Sequence, residues 1–144
     1  MREYWRRPDA TADAHLDDGW FITGDVASMA SDGRVTLQGR ASDMIISGGE
    51  NIYPKEIELV LDEIDGVVES AVIGVPDPDF GERVVAVLVC DGRPLGVEDL
   101  RPHLDQALAR FKHPRRVHVV DALPRNAMGK VQKGELRARY ASSG

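Results

Sequence analysis

Residues 39–58 combine a side chain suited to oxygen-rich ligands with a loop that could approach such a ligand closely. Arg40 presents a planar fork of hydrogen-bond donors. In the segment Ser47-Gly48-Gly49 the backbone bends freely and leaves room for a neighbouring group. The glycine spacing is neither that of a P-loop nor that of a dinucleotide-binding turn. The residue types alone indicate a strand, a glycine loop and a helix, an arrangement found in many α/β domains.

Asp25 and Lys130 carry charged side chains that could contact a nucleotide or a phosphate. Asp25 follows a glycine, and its two acceptor oxygens match the vicinal hydroxyls of a ribose, although an Asx-turn uses the same residue type. Lys130 lies in a glycine-containing loop between Arg125 and Lys133. An isolated Gly-Lys pair is most often a solvated lysine. The residues by themselves leave both alternatives open at both positions.

The charge distribution separates a basic C-terminal segment from an acidic remainder. The 144 residues carry a net charge of −6, yet residues 110–139 hold nine Lys or Arg and only two acids. An acidic chain is a poor nucleic-acid binder, whereas the basic segment could face a small polyanion or form a solvated surface. The single cysteine, Cys90, fits a cytoplasmic location, and no apolar run is long enough to span a membrane.

Three stretches, in the same order as in the family, closely resemble the signature motifs of the acyl-adenylate-forming enzymes. This superfamily comprises acyl-CoA synthetases, peptide-synthetase adenylation domains and luciferases. The stretches are residues 20–25, similar to [YWF]-x-T-G-D; residues 39–58, similar to GRxxDxIxxxGxxIxPxEIE; and residues 124–133, similar to P-x-x-x-x-G-K-x-x-[KR]. Within the superfamily, residues 66–76, 78–82 and 128–133 resemble malonyl-CoA synthetases.

The resemblance implies an ATP-dependent acyl-CoA synthetase, which joins a carboxylic acid to AMP and then forms a thioester with CoA. Lys130 would be the catalytic residue of adenylation, because its charge reduces the repulsion between a carboxylate and the α-phosphate. Asp25 and Arg40 would contact the nucleotide. The implied cofactors are ATP, CoA and Mg²⁺, and the magnesium ligands are expected in a preceding domain, with no metal site in this chain.

A second group of residues is implied in thioester formation. Gly48 and Gly49 would line a tunnel for the pantetheine arm of CoA, where larger side chains would block it. Lys112, His113 and Arg115 match positions that approach the CoA nucleotide in some relatives. For His113, an exposed loop histidine is an equally acceptable interpretation.

The resemblance also predicts a domain boundary. Residues 1–41 would be the C-terminal edge of a large N-terminal domain, and residues 42–144 a complete small mobile domain. Ser42 occupies the hinge position, where the family usually has Asp or Lys. The phosphate loop and the acyl pocket would lie in the large domain, so the fragment alone is expected to be inactive. The resemblance implies that the partners are malonate or another short-chain carboxylic acid, ATP, CoA and the chain's own N-terminal domain.

Two alternatives remain from the sequence. The first is an adenylation domain that passes its acyl group to a carrier protein. The second, from another class, is a free-standing fragment that binds a partner without catalysis. The position of the natural start codon, far upstream of Met1 or at Met1, distinguishes this last alternative from an enzyme fragment.

The hydrophobic pattern predicts an α+β fold, with a small mixed sheet, helices packed on it and a preceding β-hairpin at the edge of the large domain. After residue 42 the predicted order is β-α-β-β-α-β-α, whereas residues 1–24 show no periodicity. Asp99 is expected to cap the second helix, and Lys133 to lie at the surface or at the start of the last. The predicted elements are a hairpin at 26–38, strands at 44–46, 67–75, 84–90 and 116–120, and helices at 54–65, 100–111 and 134–140.

Overall fold

The computed structural model describes residues 3–141, in which a mixed sheet carries helices on both faces and follows a two-stranded hairpin. This arrangement confirms the predicted α+β class. The helices are α1 (Pro8–Asp13), α2 (Pro54–Leu61), α3 (Val97–Ala107) and α4 (Lys133–Tyr140). The strands are β1 (Asp25–Met29), β2 (Val35–Arg40), β3 (Ile45–Ser47), β4 (Glu50–Ile52), β5 (Val67–Asp77), β6 (Gly81–Cys90) and β7 (Arg116–Val119).

The sheet is organised around β6. Its antiparallel partner β5 pairs with it from Val67, opposite Cys90, to Asp77, opposite Gly81. On its other side β6 pairs antiparallel with β3 at Gly81 and parallel with β7 over residues 85–88. The β-branched runs at 67–75 and 84–90 predict two central, paired strands. This is wrong for β5, because its strand partner in the described sheet is β6 alone. Helices cover both faces of β5, and this explains why its sequence is apolar throughout.

The core consists of two clusters, one on each face of the sheet. Successive residues of β5 alternate between them, since Val72 belongs to one cluster and Ile73 to the other. The first cluster includes Ile57 of α2 and Leu104 of α3, and the second includes Leu136 of α4. Burying each such aliphatic side chain contributes roughly 1.5–3 kcal/mol. The alternation therefore fixes which helices lie on which face.

Helix α2 begins as predicted but ends earlier. Pro54 occupies the first helical turn, where its missing N–H removes no intrahelical bond. The helix ends at Leu61, with Asp62 as its C-cap. Ile64 is still buried in the first cluster, because the chain continues in a turn before β5. The hydrophobic spacing that suggested a longer helix thus extends into that turn.

Helix α3 differs from the prediction at both ends. Gly96, and not Asp99, is the N-cap; Asp99 is the third helical residue, and its Oδ2 accepts from the Gly96 N–H at 2.8 Å. Pro102 lies beyond the first turn, inside the helix. Phe111 lies outside the helix, in the short 3-10 turn Arg110–Lys112, and is exposed. The predicted apolar stripe is therefore shorter than its spacing indicated.

The N-terminal segment contributes nothing to the two clusters. None of residues 3–44 is buried, and Trp5 and Trp20 are 81% and 73% exposed. The predicted hairpin is present as β1 and β2, with Gly33 at φ +84° in the turn. Helix α1, six residues long, was not predicted. The domain boundary near Ser42 stays a prediction.

Candidate functional site

Asp25 and Arg40 lie opposite each other where β1 begins and β2 ends. Arg40 Nε is 3.0 Å from Asp25 Oδ1, and Arg40 Nη1 donates to the Thr23 carbonyl at 2.6 Å. The side chains of Asp25 and Arg40 remain 33% and 54% exposed. The structure thus brings together the two residues predicted to contact a nucleotide, and both charges are open to solvent.

Ser42 lies in a single 3-10 turn, Ala41–Asp43, that connects β2 to β3. Arg137 of α4 donates through Nη2 to the Ser42 carbonyl at 3.5 Å and to Asp43 Oδ1 at 2.7 Å. The predicted hinge residue is therefore held on its C-terminal side by an ion pair with the last helix. Sequence reasoning missed Arg137, because the sequence offers no sign that residue 137 returns to residue 43.

Gly48 and Gly49 form the two-residue turn between β3 and β4, with φ values of +60° and +86°. Two consecutive positive φ values are typical of the hairpin turn that favours glycine at both positions. The Gly48 N–H donates to the Phe80 carbonyl at 2.9 Å, and a Cβ on Gly48 would lie 3.4 Å from the Phe80 ring. A Cβ on Gly49 would meet no described atom within 4 Å. Gly49 is thus the open corner of the turn.

Arg115 extends this surface from the other side of Phe80. Its guanidinium carbon lies 4.1 Å from the centroid of the Phe80 ring, a cation–π contact. Its backbone N–H donates to the Val84 carbonyl at 2.9 Å, which fixes Arg115 beside β6. Gly48, Phe80 and Arg115 consequently form one continuous surface. Phe80 was not selected from the sequence, although an aromatic residue in a turn-rich loop is a usable signal.

Lys112 and His113 are held by other contacts. Lys112 Nζ lies 2.6 Å from Glu56 Oε1, and His113 Nε2 lies 3.1 Å from the Leu108 carbonyl oxygen. His113 is only 16% exposed, so its interpretation as an exposed loop histidine is wrong. It borders a cleft of about 370 Å³ that is also lined by the cationic residues Arg101, Arg110 and Arg115.

Lys130 lies at the edge of a loop that folds around Asn126. Asn126 Oδ1 accepts from the backbone N–H groups of Met128, at 3.0 Å, and Lys130, at 2.9 Å. The Asn126 N–H donates to the Lys130 carbonyl at 2.9 Å, and Gly129 adopts φ +78° to close the turn. Within residues 3–141, no hydrogen bond or ion pair engages the exposed Lys130 ammonium. The backbone is therefore fixed while the charge stays accessible.

Lys133, expected at the surface or at a helix start, is at the start of α4 but is not a surface residue. Its ammonium lies 2.6 Å from Glu58 Oε1, and the two side chains are 17% and 9% exposed. The same Glu58 oxygen accepts from the Val72 N–H at 2.9 Å. This buried pair joins α2, β5 and α4. Glu58 is the last residue of the motif at 39–58, but the sequence gives no sign that it pairs with Lys133.

Six of the nine predicted site residues fall into three separate groups. Asp25 and Arg40 form the first. In the second, Gly48 and Arg115 approach Phe80, with Gly49 next to Gly48 in the same turn. Lys130 lies in its own loop, and Ser42, Lys112 and His113 have the separate contacts given above. Arg40 shares a cavity of about 200 Å³ with Asp43, Lys55, Glu58 and Lys133. Across the part of the chain that the structure describes, no hydrogen bond or ion pair joins Lys130 to Asp25 or Arg40.

On this α+β fold, the motif residues Asp25, Arg40, Gly49 and Lys130 are all exposed. A model of the family described as AMP-binding enzyme C-terminal domain matches residues 56–130, which is more than half of the chain. The chain belongs to this family. The match confirms the resemblance to the acyl-adenylate-forming enzymes. The α+β fold agrees with this family.

Particular relatives match nearly the whole chain. It is 44% identical over 143 residues to long-chain-fatty-acid–CoA ligase FadD13 of Mycobacterium tuberculosis, covering 99% of this chain and 28% of the relative. It is 45% identical over 141 residues to fatty acid–[acyl-carrier-protein] ligase ScoC of Streptomyces coeruleorubidus, covering 97% of this chain and 27% of the relative. The crystal structure of ATP-bound MatB from Rhodopseudomonas palustris matches with 50% identity and a TM-score of 0.88, covering 99% of this chain and 28% of that one. The chain thus spans just over a quarter of the length of these proteins.

In residues 3–141, no three His, Cys, Asp or Glu side chains are grouped so that they could hold a metal ion. None of the described helices has the length and apolar character needed to cross a membrane.

Proposed function

We propose that this chain is the C-terminal part of an AMP-forming acid–thiol ligase that makes acyl-CoA. The family and the names of the matching ligases support the class. The observation that carries the proposal for this chain is the state of Lys130. Of the three cations in the closing motif, Arg125 and Lys133 are ion-paired, whereas Lys130 presents an exposed ammonium that pairs with no residue in the range 3–141.

In the proposed adenylation step, a carboxylate oxygen of the acid attacks the α-phosphorus of ATP. The bond to pyrophosphate breaks, and acyl-AMP and pyrophosphate are the products. Both reactants are anions, so the Lys130 ammonium would lower the barrier by contacting both as the new bond forms. Asp25 would contact the ribose, and Arg40 would contact the ribose or a phosphate. The adjacency and exposure of the two side chains support this assignment.

In the proposed second step, the sulfur of CoA attacks the acyl carbon, and AMP leaves as the carbon–oxygen bond breaks. Gly48, Gly49 and Arg115 would line the path of the thiol, and the continuous surface around Phe80 supports this grouping. Lys112 and His113 would contact the CoA nucleotide beside the same surface. Residues 1–41 would belong to the large domain, and Ser42 would be the hinge about which residues 42–144 turn.

The proposed acid is malonate or another short-chain acid. The likeness of residues 66–76 and 78–82 to malonyl-CoA synthetases supports this choice. FadD13, at 44% identity, is named for long-chain fatty acids, so acids of both lengths belong in the test. A carrier-protein acceptor is a second candidate, because ScoC, at 45% identity, is named as a ligase of an acyl-carrier protein.

The test uses the full-length natural protein and its Lys130→Ala variant. Pyrophosphate release is measured with ATP, magnesium and short- and long-chain carboxylic acids, and thioester formation is measured from supplied acyl-adenylate with CoA or a carrier protein. Lys130→Ala should lower adenylation about a hundred- to a thousand-fold. Thioester formation should change little, because Lys130 has no part in the second step.

Arg139→Ala, which removes an exposed cation from α4, is the matched control and should leave both steps near the natural rate. The fragment of residues 1–144 alone should release no pyrophosphate. Full adenylation by Lys130→Ala would overturn the assigned role of the lysine, and acid-dependent turnover by the fragment would overturn the proposed division into domains.

A further inference from the structure

The three cations of the closing motif differ in what surrounds them. Arg125 precedes the loop, Lys130 lies in it and Lys133 follows it. The two outer cations each contact a glutamate from a distant part of the chain, Glu69 and Glu58 respectively. Only the middle cation of this motif, within the described residues, keeps its charge unpaired. The loop is thus held at both ends by carboxylates that do not belong to it.

The Glu58 contact is the more buried of the two. Glu58 Oε1 accepts from the Val72 N–H at 2.9 Å and lies 2.6 Å from Lys133 Nζ. Since Val72 is in β5 and fully buried, the position of this carboxylate is fixed by the core. Lys133 is the first residue of α4, so Glu58 fixes where the helix starts and where the loop before it ends.

The Glu69 contact holds the other end. Arg125 Nη2 donates to Glu69 Oε2, and Arg125 Nη1 donates to the Gly129 carbonyl at 2.6 Å. One guanidinium therefore connects β5 to the residue immediately before Lys130. Arginine suits this task because the donors of its guanidinium lie in one rigid plane and can contact two acceptors at once.

We propose that Glu58 and Glu69 are positioning residues for Lys130. They hold the two ends of its loop, and they neutralise the neighbouring cations so that Lys130 alone is available to the reacting anions. This inference rests on the proposed function of Lys130 in adenylation. Neither glutamate touches substrate in this proposal; both act through the loop.

The physical basis is the sensitivity of catalysis to small displacements. A misplacement of about 1 Å, caused by a change away from the chemistry, can cost on the order of a hundred-fold in rate. If Glu58 is neutralised, Lys133 loses its buried anion and becomes a second free cation near the loop. If Glu69 is neutralised, Arg125 can no longer hold Gly129 from a fixed point on β5.

The experiment measures both half-reactions of the full-length protein carrying Glu58→Gln or Glu69→Gln. Each should lower kcat for adenylation about 10- to 100-fold with little change in KM for ATP or acid. Thioester formation from supplied acyl-adenylate should stay within about two-fold of the natural rate, per mole of folded protein. Glu135→Gln, which removes the exposed carboxylate partner of Arg139 on α4, is the control and should change neither step.

The Glu69→Gln variant keeps the inference testable if Glu58→Gln fails to fold. The Glu69–Arg125 pair lies at the surface, with side chains 29% and 44% exposed, so its loss should leave the fold intact even if Glu58→Gln unfolds the domain. Amide hydrogen exchange of residues 126–131 in the natural and Glu69→Gln proteins reports directly on the loop and should become faster in the variant. Unchanged exchange and unchanged adenylation in Glu69→Gln would overturn the inference.

The Lys130→Ala variant distinguishes a failure of the positioning role from a failure of the proposed function. If Lys130→Ala lowers adenylation and both glutamate variants keep the natural rate, the positioning role fails and the proposed function stands. If Lys130→Ala itself keeps the natural rate, the proposed function fails. An equal loss of both half-reactions in Glu69→Gln would indicate a general structural role and would also overturn the positioning role.

Discussion

Arg137 Nη2 lies 2.7 Å from Asp43 Oδ1, and this ion pair attaches the last helix to the turn that precedes the sheet. The two side chains are 31% and 29% exposed, so solvent screens the pair only in part. The contact joins a residue of α4 to a residue of the 3-10 turn before β3. Together with the bond from Arg137 to the Ser42 carbonyl, it links α4 to the segment that contains the predicted hinge.

The Asp43–Arg137 pair should contribute measurably to stability. In a double-mutant cycle with Asp43→Asn and Arg137→Ala, the coupling free energy should be about 1 kcal/mol. Urea unfolding of the fragment and its three variants measures it. The matched pair Asp32–Arg34, with side chains 54% and 79% exposed, should give a coupling close to zero. Additive effects at Asp43 and Arg137 would show that the contact does not bind the two segments.

Gly49→Leu should impair thioester formation and spare adenylation in the full-length protein. A Cβ at this open position meets no described atom within 4 Å, so in this conformation the substitution should cost mainly backbone strain, about 1–2 kcal/mol. In the proposed second conformation it would occupy the path of the pantetheine arm. The two half-reactions are assayed separately.

The control for Gly49→Leu is Gly92→Leu. Gly92 has φ +95° and equally open surroundings, and it lies in the loop between β6 and α3. It should therefore carry a similar backbone strain without blocking the thiol. A comparable loss of thioester formation in both variants would attribute the effect to strain and would remove the support for a glycine-lined tunnel.

Hydrogen exchange in the chain of residues 1–144 should differ on the two sides of Ser42. Residues 3–44 include no buried side chain, whereas β5 and β6 contribute to both core clusters. Segments with few buried contacts open at low free energy, and core strands open only with global unfolding. Amides before Ser42 should exchange fast, and those of β5 and β6 slowly. Equal protection on both sides would show that the hairpin and the sheet unfold as one unit.

His118 should make stability depend on pH. Burial, together with the positive charge of Arg116, lowers the pKa of His118 below its ordinary value of 6.5. The unfolded chain then takes up a proton at a higher pH than the folded one. The contribution to stability is therefore present above about pH 6.5 and is lost as the pH falls from there towards the folded pKa.

The variant that tests this dependence is His118→Phe. A phenyl ring can retain the stacking on Tyr140, whose ring centroid lies 4.0 Å away, but it cannot bind a proton. Between about pH 7.5 and about pH 5.5, the free energy of unfolding should fall less in His118→Phe than in the natural chain. His103→Gln, on an exposed position of α3, is the control. The same fall in His118→Phe as in the natural chain would contradict the assignment.

The sequence was sufficient for the parts of the fold that depend on local pattern. Pro54 and the apolar spacing after it predicted α2, and the β-branched runs predicted β5 and β6. The edge strand β4 was missed because three residues carry too little pattern, and its pairing depends on the turn at Gly48 and Gly49. The N-cap of α3 was misplaced by three residues because Asp is a common N-cap, whereas Asp99 here lies at the third helical position and accepts from the N–H of the N-cap Gly96.

The sequence predicted site residues only where a motif identifies them individually, and it did not predict their contacts with one another. Asp25 and Arg40 were named separately, and the structure places them in contact through the register of one hairpin. Lys133 was misjudged because the burial of a lysine depends on an anion elsewhere in the chain, and no local signal pairs residue 133 with Glu58. Phe80 contacts both Gly48 and Arg115, which are far apart in sequence, and no local signal indicates that it lies between them.

The long β5–β6 hairpin also sets the order in which the sheet can assemble. Only residues 78–80 separate the two strands, so the hairpin closes at a small entropic cost and can form within microseconds. β7 lies parallel to β6 and can join it only after the intervening chain, including α3, has crossed over. We therefore expect a folding nucleus in the hairpin, with β7 and α4 added afterwards. Destabilising changes in β5 and β6 would then slow folding, whereas those in β7 would mainly speed unfolding.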